Sequence, residues 1–180
     1  MNKPIIIYIS GSPGAGKTTL AKLISEQLYI PHVSSDLVHG GIELTQSNHD
    51  RKAAIANAFV PLMISMAQKQ ISFVVDHVLQ KDMGKADIID KLVPHARIIY
   101  IHVYCADPIA RYIHRIESSD LPNIEKRRAA LLERAVFHKE NLSRTADVLD
   151  LSVPTLVVAT ESGYNPAIND ILAFIQMHNN

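Results

Sequence analysis

Gly11-Ser12-Pro13-Gly14-Ala15-Gly16-Lys17-Thr18 carries the spacing Gly-x4-Gly-Lys-Thr, which is the spacing of a phosphate-binding P-loop. The residue types match the chemistry of a triphosphate, which packs several negative charges into a small volume. Backbone N–H groups can converge on such an anion only where side chains do not intrude, and Gly11, Gly14 and Gly16 leave that room. Lys17 supplies a point charge for the β- and γ-phosphates. The Thr18 hydroxyl is a ligand for Mg²⁺. Gly11, Ser12, Pro13, Gly14, Ala15, Gly16, Lys17, Thr18 and Thr19 are therefore the candidate nucleotide contacts, with ATP and Mg²⁺ as the expected cofactors.

The flanking sequence supplies the elements that this motif needs. Pro4-Ile5-Ile6-Ile7-Tyr8-Ile9-Ser10 is apolar and β-branched and reads as a buried strand. From Thr19 to Leu28, Leu20, Ile24 and Leu28 fall on one face of a helix. Such a helix aims its unpaired N–H groups and the positive end of its dipole at the phosphates.

Four further strands are expected. Val33–Ser35 is a short one that delivers Asp36 to the carboxyl rim of the sheet, where ligands of open α/β sheets bind. The stretch from Leu37 to Asp50 is polar, with Gly40-Gly41, His39, Asn48 and His49, and reads as a mobile loop over the site. Asp50–Gln70 follows as a helix with Ile55, Phe59, Leu62, Met63 and Met66 on one face and Pro61 as a kink. Ile71–Asp76 is a hydrophobic strand ending in an acid, the Walker B pattern, and makes Asp76 a second metal-side residue. Asp82 is expected to cap a short helix that stops at Pro94.

Arg97–Cys105 is the fourth strand, with His102 as a structural histidine and Cys105 as a buried thiol. Asp107-Pro108 is a helix start, with Asp as N-cap and Pro in the first turn. On that helix Arg111 and Arg115 share one side, either solvated or placed over a nucleotide, one on the base and one near phosphate. Ser118–Asn123 interrupts the pattern. The next helix, from about Ile124 to Thr145, carries Arg127, Arg128 and Arg134, which form either a solvated face or a lid closing on phosphate. Thr155–Ala159 is the fifth strand, Thr160 opens a loop on the rim, and Asn165-Pro166 is expected to cap the last helix.

Strands alternating with helices imply a three-layer α/β/α fold with a five-stranded parallel sheet, here read as one unit over residues 1–180 with a small lid at about 116–134. Lys plus Arg equals Asp plus Glu, 18 each, so the chain has no general basic field for nucleic acid. The single cysteine excludes an internal disulfide and a CxxC metal site. No run is long enough to span a membrane, so a cytoplasmic protein is expected. No feature fixes an oligomeric state. The rim inventory is that of phosphoryl transfer: a phosphate cradle, metal-side groups, a carboxylate that can take a hydroxyl proton, and arginines that neutralise the transferred group.

The order of P-loop, strand-two Asp36, strand-three Asp76, Arg111-x3-Arg115 helix, lid and final strand–loop–helix resembles the small P-loop kinases. The likeness is greatest to the branch holding chloramphenicol phosphotransferase-like, zeta-toxin-like and shikimate-kinase-like members. It implies that Asp36 activates the acceptor, that Asp76 serves metal or substrate, that Arg111 lies against adenine, and that Arg115 or Arg134 reaches phosphate. The chain departs from two of these patterns. Ser34-Ser35-Asp36 stands where shikimate-kinase-type members carry Asp-x-Asp, and Asp76-His77 stands where chloramphenicol-type members carry paired acids. The expectation is an ATP- and Mg²⁺-dependent kinase acting on a hydroxyl of a small molecule, with Asp76 as the alternative base to Asp36. A nucleotide-driven switch without an acceptor, and a polynucleotide 5′-hydroxyl kinase, are the other readings of the same motif.

Overall fold

The computed structural model describes residues 3–45, 50–82, 84–118 and 124–179. Five strands form one parallel sheet in the order β2-β3-β1-β4-β5: β1 Ile5–Ser10, β2 His32–Ser34, β3 Phe73–Asp76, β4 Arg97–Tyr104 and β5 Thr155–Ala159. β1 is central, pairing Tyr8 with Val75 of β3 and Tyr100 of β4. Its six residues are all buried, as expected of a strand covered on both faces.

Alternation along the strands divides the core into two. Ile6, Tyr8, Phe73, Val75, Ile98 and Tyr100 face one layer. Against them pack α4 (Val60–Gln68) through Met63 and Ala67, and α5 (Asp90–Leu92) through Leu92. Ile5, Ile7, Ile9, Ile99 and Ile101 face the other layer. There they meet Leu20 and Ile24 of α1 (Lys17–Leu28) and Ile171 and Ile175 of α8 (Ile168–Met177). A third, smaller cluster joins α6 (Pro108–Glu117) to α7 (Ile124–Glu140) through Tyr112, Ile116 and Ala135.

Several local expectations are corrected. Ser35 does not extend β2, and the segment read as a loop from Leu37 is helical, α2 spanning Ser35–Thr45. Val38 packs toward the core, and both glycines of Gly40-Gly41 sit in this helix. Asn48 and His49 lie outside the described residues. The helix after Asp50 runs as α3 (Arg51–Ala54), a π-helical turn Ile55–Phe59, then α4 with Pro61 in its first turn. The proline ring has no N–H to give and crowds the preceding turn, and one wider turn accommodates it without ending the helix. Leu62 on this helix faces outward and is exposed.

Asp82 caps nothing. It pairs with Arg144 at 3.2 Å, and the helical stretch includes Gly84 and a π-turn over Lys85–Ile89. α7 stops at Glu140, and a 3-10 turn over Leu142–Arg144 completes the span to Thr145. Asn165 does not cap α8 either. It bridges back to Ala159, its bond to Pro166 is cis, and Ala167 occupies the cap position. The Asp107 cap does form, accepting from the Ala110 amide at 2.9 Å. The lid segment is described only for α6 up to residue 118 and for α7 from residue 124. The rest of it, and the Arg127 side chain, lie outside the described residues.

Candidate active site

β1 ends at Ser10 and α1 begins at Lys17, and residues 11–16 between them form a tight loop whose three glycines all have positive φ. The reason is closest at Gly14, with φ +89: a Cβ there would stand 1.9 Å from the Pro108 carbonyl oxygen. At Gly11 a Cβ would meet the Val103 carbonyl oxygen at 2.0 Å. These glycines let the loop lie against the end of β4 and the start of α6. Gly16, with φ +99, stands as N-cap of α1, so the unpaired amides of the first turn face the loop's concavity.

Lys17 folds back and donates from Nζ to the Ser12 carbonyl at 2.9 Å. The residue as a whole is half-buried, yet its ammonium is lodged inside the loop. Burial pushes its pKa down to about 8, against the opposing pull of the Asp76 and Asp36 carboxylates. Asp36, exposed in the first turn of α2, is thus close enough to act on the Lys17 charge.

Asp76 sits at the end of β3, buried, with both oxygens engaged. Thr18 Oγ1 donates to Oδ2 at 2.5 Å, and His32 Nε2 lies 2.8 Å from Oδ1. Burial alone would raise the Asp76 pKa. Hydrogen bonds from His32, Thr18 and Ser34 outweigh it, and the net shift is downward, so the carboxylate stays ionised. A hydroxyl and a fixed carboxylate oxygen side by side, next to an anion cradle, form a set that fits a hard divalent cation held jointly with phosphate. His32 is the functional residue that sequence reading missed. It lies 44 positions from Asp76, and only the pairing of β2 with β3 brings the two together.

The other rim residues group around the loop. Thr160 donates to the Ala15 carbonyl at 2.8 Å and accepts from Arg111 Nη1 at 2.8 Å, while Arg111 also reaches the Thr160 carbonyl at 3.1 Å. Arg111 and Thr160 are therefore tied to the loop itself. Arg115 lies with Thr18, Thr19, Lys22 and Tyr164 around a shallow depression at the foot of α1. Its guanidinium sits 5.4 Å from the Tyr112 ring centroid. Arg134 is exposed on α7 and lines neither cavity. Cys105 is buried, and His102 is structural: Tyr100 donates to its Nδ1 at 2.9 Å and its Nε2 donates to the Ala146 carbonyl at 3.0 Å.

A second, more enclosed cavity of about 430 Å³ touches the loop at Pro13. Val78, Ile55, Ile88 and Phe137 form its apolar walls, and His77 and Thr145 belong to its buried floor. The Thr145 hydroxyl is 3.1 Å from that of Ser12, a buried contact between residues 133 positions apart. His77 both lines the cavity and stacks on Phe59, with ring centroids 5.4 Å apart.

The sequence profile of the Zeta toxin family matches residues 1–161. A cytidylate kinase from Sulfolobus acidocaldarius is 26% identical over 177 residues, spanning 92% of this chain and 91% of that protein. The crystal structure of a candidate kinase from Chloroflexus aurantiacus superimposes with a TM-score of 0.71 at 21% identity, covering 99% of this chain and 97% of that one. A gluconokinase from Sinorhizobium meliloti superimposes with a TM-score of 0.60 at 14% identity, covering 98% and 94%. Both structures share the fold of this chain.

Proposed function

The chain belongs to the Zeta toxin family, an ATP-dependent kinase by its relatives, and we propose that it transfers the γ-phosphoryl group of Mg-ATP to a hydroxyl of a small molecule. The observation that carries this reading is the ligand-sized cavity that meets the loop at Pro13, lined by residues that share none with the Arg115 depression. A nucleotide-driven switch needs no such second compartment.

When bound, Mg-ATP supplies the phosphoryl group and a cation that draws charge from its oxygens. The loop amides and Lys17 would hold the β- and γ-phosphates. Thr18 and Asp76 would hold the cation, and His32 holds Asp76. Asp36 takes the hydroxyl proton as the acceptor oxygen bonds to the γ-phosphorus and the bond to the β-bridging oxygen breaks, leaving ADP and a phosphate monoester. Arg111 and Thr160 fix the base side, and Arg115 neutralises charge on the transferred group. We assign the protein to the cytoplasm, where ATP is available. Among the described residues no helix is long and apolar enough to cross a membrane.

A phosphate acceptor is the second reading, favoured by the likeness to a cytidylate kinase. ADP release from Mg-ATP, measured with alcohols, sugars, nucleoside monophosphates and 5′-hydroxyl oligonucleotides, separates the two, with Lys17→Ala as the blank. Stimulation by an alcohol or sugar supports the hydroxyl reading. Stimulation by a nucleoside monophosphate alone overturns it, and basal hydrolysis that nothing raises points to a switch.

A further inference from the structure

We propose that Thr145 is a positioning residue for the nucleotide: its hydroxyl holds Ser12, and Ser12 in turn holds the Lys17 ammonium inside the phosphate loop. This deepens the kinase reading on its nucleotide side and applies to a hydroxyl or a phosphate acceptor alike.

The hydroxyl protons can be assigned. Thr145 Oγ1 lies 3.1 Å from Ser12 Oγ and 3.2 Å from the Leu142 carbonyl oxygen. A carbonyl only accepts, so the Thr145 proton goes to Leu142, and Ser12 is the donor to Thr145. Both residues are buried, where a hydroxyl that loses its partner has no water to replace it. The Ser12 carbonyl then accepts from Lys17 Nζ at 2.9 Å and from the Ala15 amide at 3.1 Å. Ser12 thus joins a side chain 133 positions away to the charged group of the loop.

Thr145 is itself fixed. It follows the 3-10 turn Leu142–Arg144, which is tied on one side to the segment after β3. There the Arg144 carbonyl accepts from the Lys81 amide at 3.0 Å, and the Arg144 guanidinium pairs with Asp82 at 3.2 Å. On the other side the Ala146 carbonyl accepts from His102 Nε2 at 3.0 Å. Burial holds the His102 pKa below its ordinary value and keeps the ring neutral at pH 7. With Nε2 donating, Nδ1 is left to accept from Tyr100 at 2.9 Å. The Tyr100 oxygen is hydrogen-bonded by Ser10, and Ser10 accepts from the Leu79 amide at 2.7 Å. Donation therefore runs one way, from Leu79 through Ser10, Tyr100 and His102 to Ala146. A satisfied buried chain of this kind is rigid, and it ends on the residue next to Thr145. The loop has a second brace, Thr160 on the Ala15 carbonyl at 2.8 Å. That one secures residue 15, whereas Thr145 acts on the residue that anchors Lys17, so the two are not interchangeable.

Calorimetric titration of the full chain with a non-hydrolysable ATP analogue and Mg²⁺ reads the effect. Thr145→Val keeps the branched shape and removes the oxygen that Ser12 donates to, and the analogue is expected to bind about fivefold more weakly, the worth of one buried hydrogen bond. Thr145→Ser keeps the oxygen and is expected to bind within about twofold of the wild type, a recovery that a packing role would not give. Ser12→Ala should cost less affinity in the Thr145→Val background than in the wild type, because the contact is already gone. Lys17 gives a readout independent of nucleotide. Its acetylation by acetic anhydride, followed by peptide mass spectrometry, should run severalfold faster in Thr145→Val than in the wild type or Thr145→Ser. Ser12→Ala breaks the same contact from the loop side and should show the same faster labelling, whether or not Thr145→Val folds. Wild-type affinity in Thr145→Val, wild-type labelling in Ser12→Ala, a loss in Thr145→Ser as large as in Thr145→Val, or additive losses in the double variant would each overturn the inference. None of these readouts involves an acceptor, so failure of the hydroxyl reading in the ADP-release assay leaves them standing.

Discussion

The Thr18 hydroxyl donates to Oδ2 of Asp76 across 2.5 Å, joining the first turn of α1 to the end of β3. His32 takes the other carboxylate oxygen at 2.8 Å. A carboxylate held at both oxygens and kept ionised is arranged to share a cation with a hydroxyl rather than to accept a proton from an acceptor. In the proposed reaction the base role therefore goes to Asp36.

His32 acts on the reaction through Asp76, and its loss should appear in metal dependence. For His32→Ala, the Mg²⁺ concentration that half-saturates binding of a non-hydrolysable ATP analogue is expected to rise roughly tenfold or more, as when the outer partner of a metal-side ligand is removed. His32→Gln, which keeps a donor on that side, should recover most of it. An unchanged Mg²⁺ titration in His32→Ala would reduce the histidine to packing.

Asp36→Asn should lower kcat by about a hundredfold or more, with ATP affinity largely kept, because the residue acts on the acceptor's proton and not on the phosphates. Equilibrium binding of the ATP analogue alongside steady-state kinetics makes the comparison. Intact turnover would pass the base role to Asp76.

Lys17 sets a pH limit. Its pKa in the ligand-free protein lies at about 8, so above that pH the side chain is neutral and must take up a proton to hold phosphate. Affinity for the ATP analogue should therefore be level below about pH 7.5 and fall as pH rises through 8, approaching tenfold per unit at most. Lys17→Arg, which stays charged, should flatten the profile even if it binds more weakly.

Gly14 and Gly40 should respond in opposite directions to alanine. At Gly14 the positive φ and the Pro108 carbonyl 1.9 Å from a Cβ make the change cost more than ~1 kcal/mol, lowering Tm by roughly 2–4 °C or more in a chain of this size. Gly40 lies in α2 with nothing within 4 Å of a Cβ, and alanine there should stabilise by ~0.5–1 kcal/mol. Thermal melts followed by circular dichroism read both.

What the sequence displayed was local and periodic. The P-loop spacing, the apolar strands ending in Asp76 and Ala159, and the Asp107 cap each depend on neighbours in the chain, and each stands where the pattern indicated. α2 was hidden because Gly40-Gly41 reads as a breaker, while its helical state depends on Val38 finding a tertiary partner. Asp82 and Asn165 have the chemistry of caps but found partners elsewhere, in Arg144 and Ala159. The His32–Asp76 and Ser12–Thr145 contacts join distant segments. No periodicity encodes such pairs; they follow from which strands become neighbours.

The central place of β1 has a consequence for how the chain is made. Among the five strands β1 is made before both of the strands that it pairs with. Its partners are β3, at residues 73–76, and β4, at residues 97–104, and Ser12 waits for Thr145. The apolar run before the phosphate loop stays unpaired until residue 76 has been made, and the loop lacks its Ser12–Thr145 contact until residue 145 has followed. Any rare-codon pause before about residue 104 would hold an aggregation-prone strand with an open edge, whereas a pause after Thr160 would find the cradle already braced by Thr145 and Thr160.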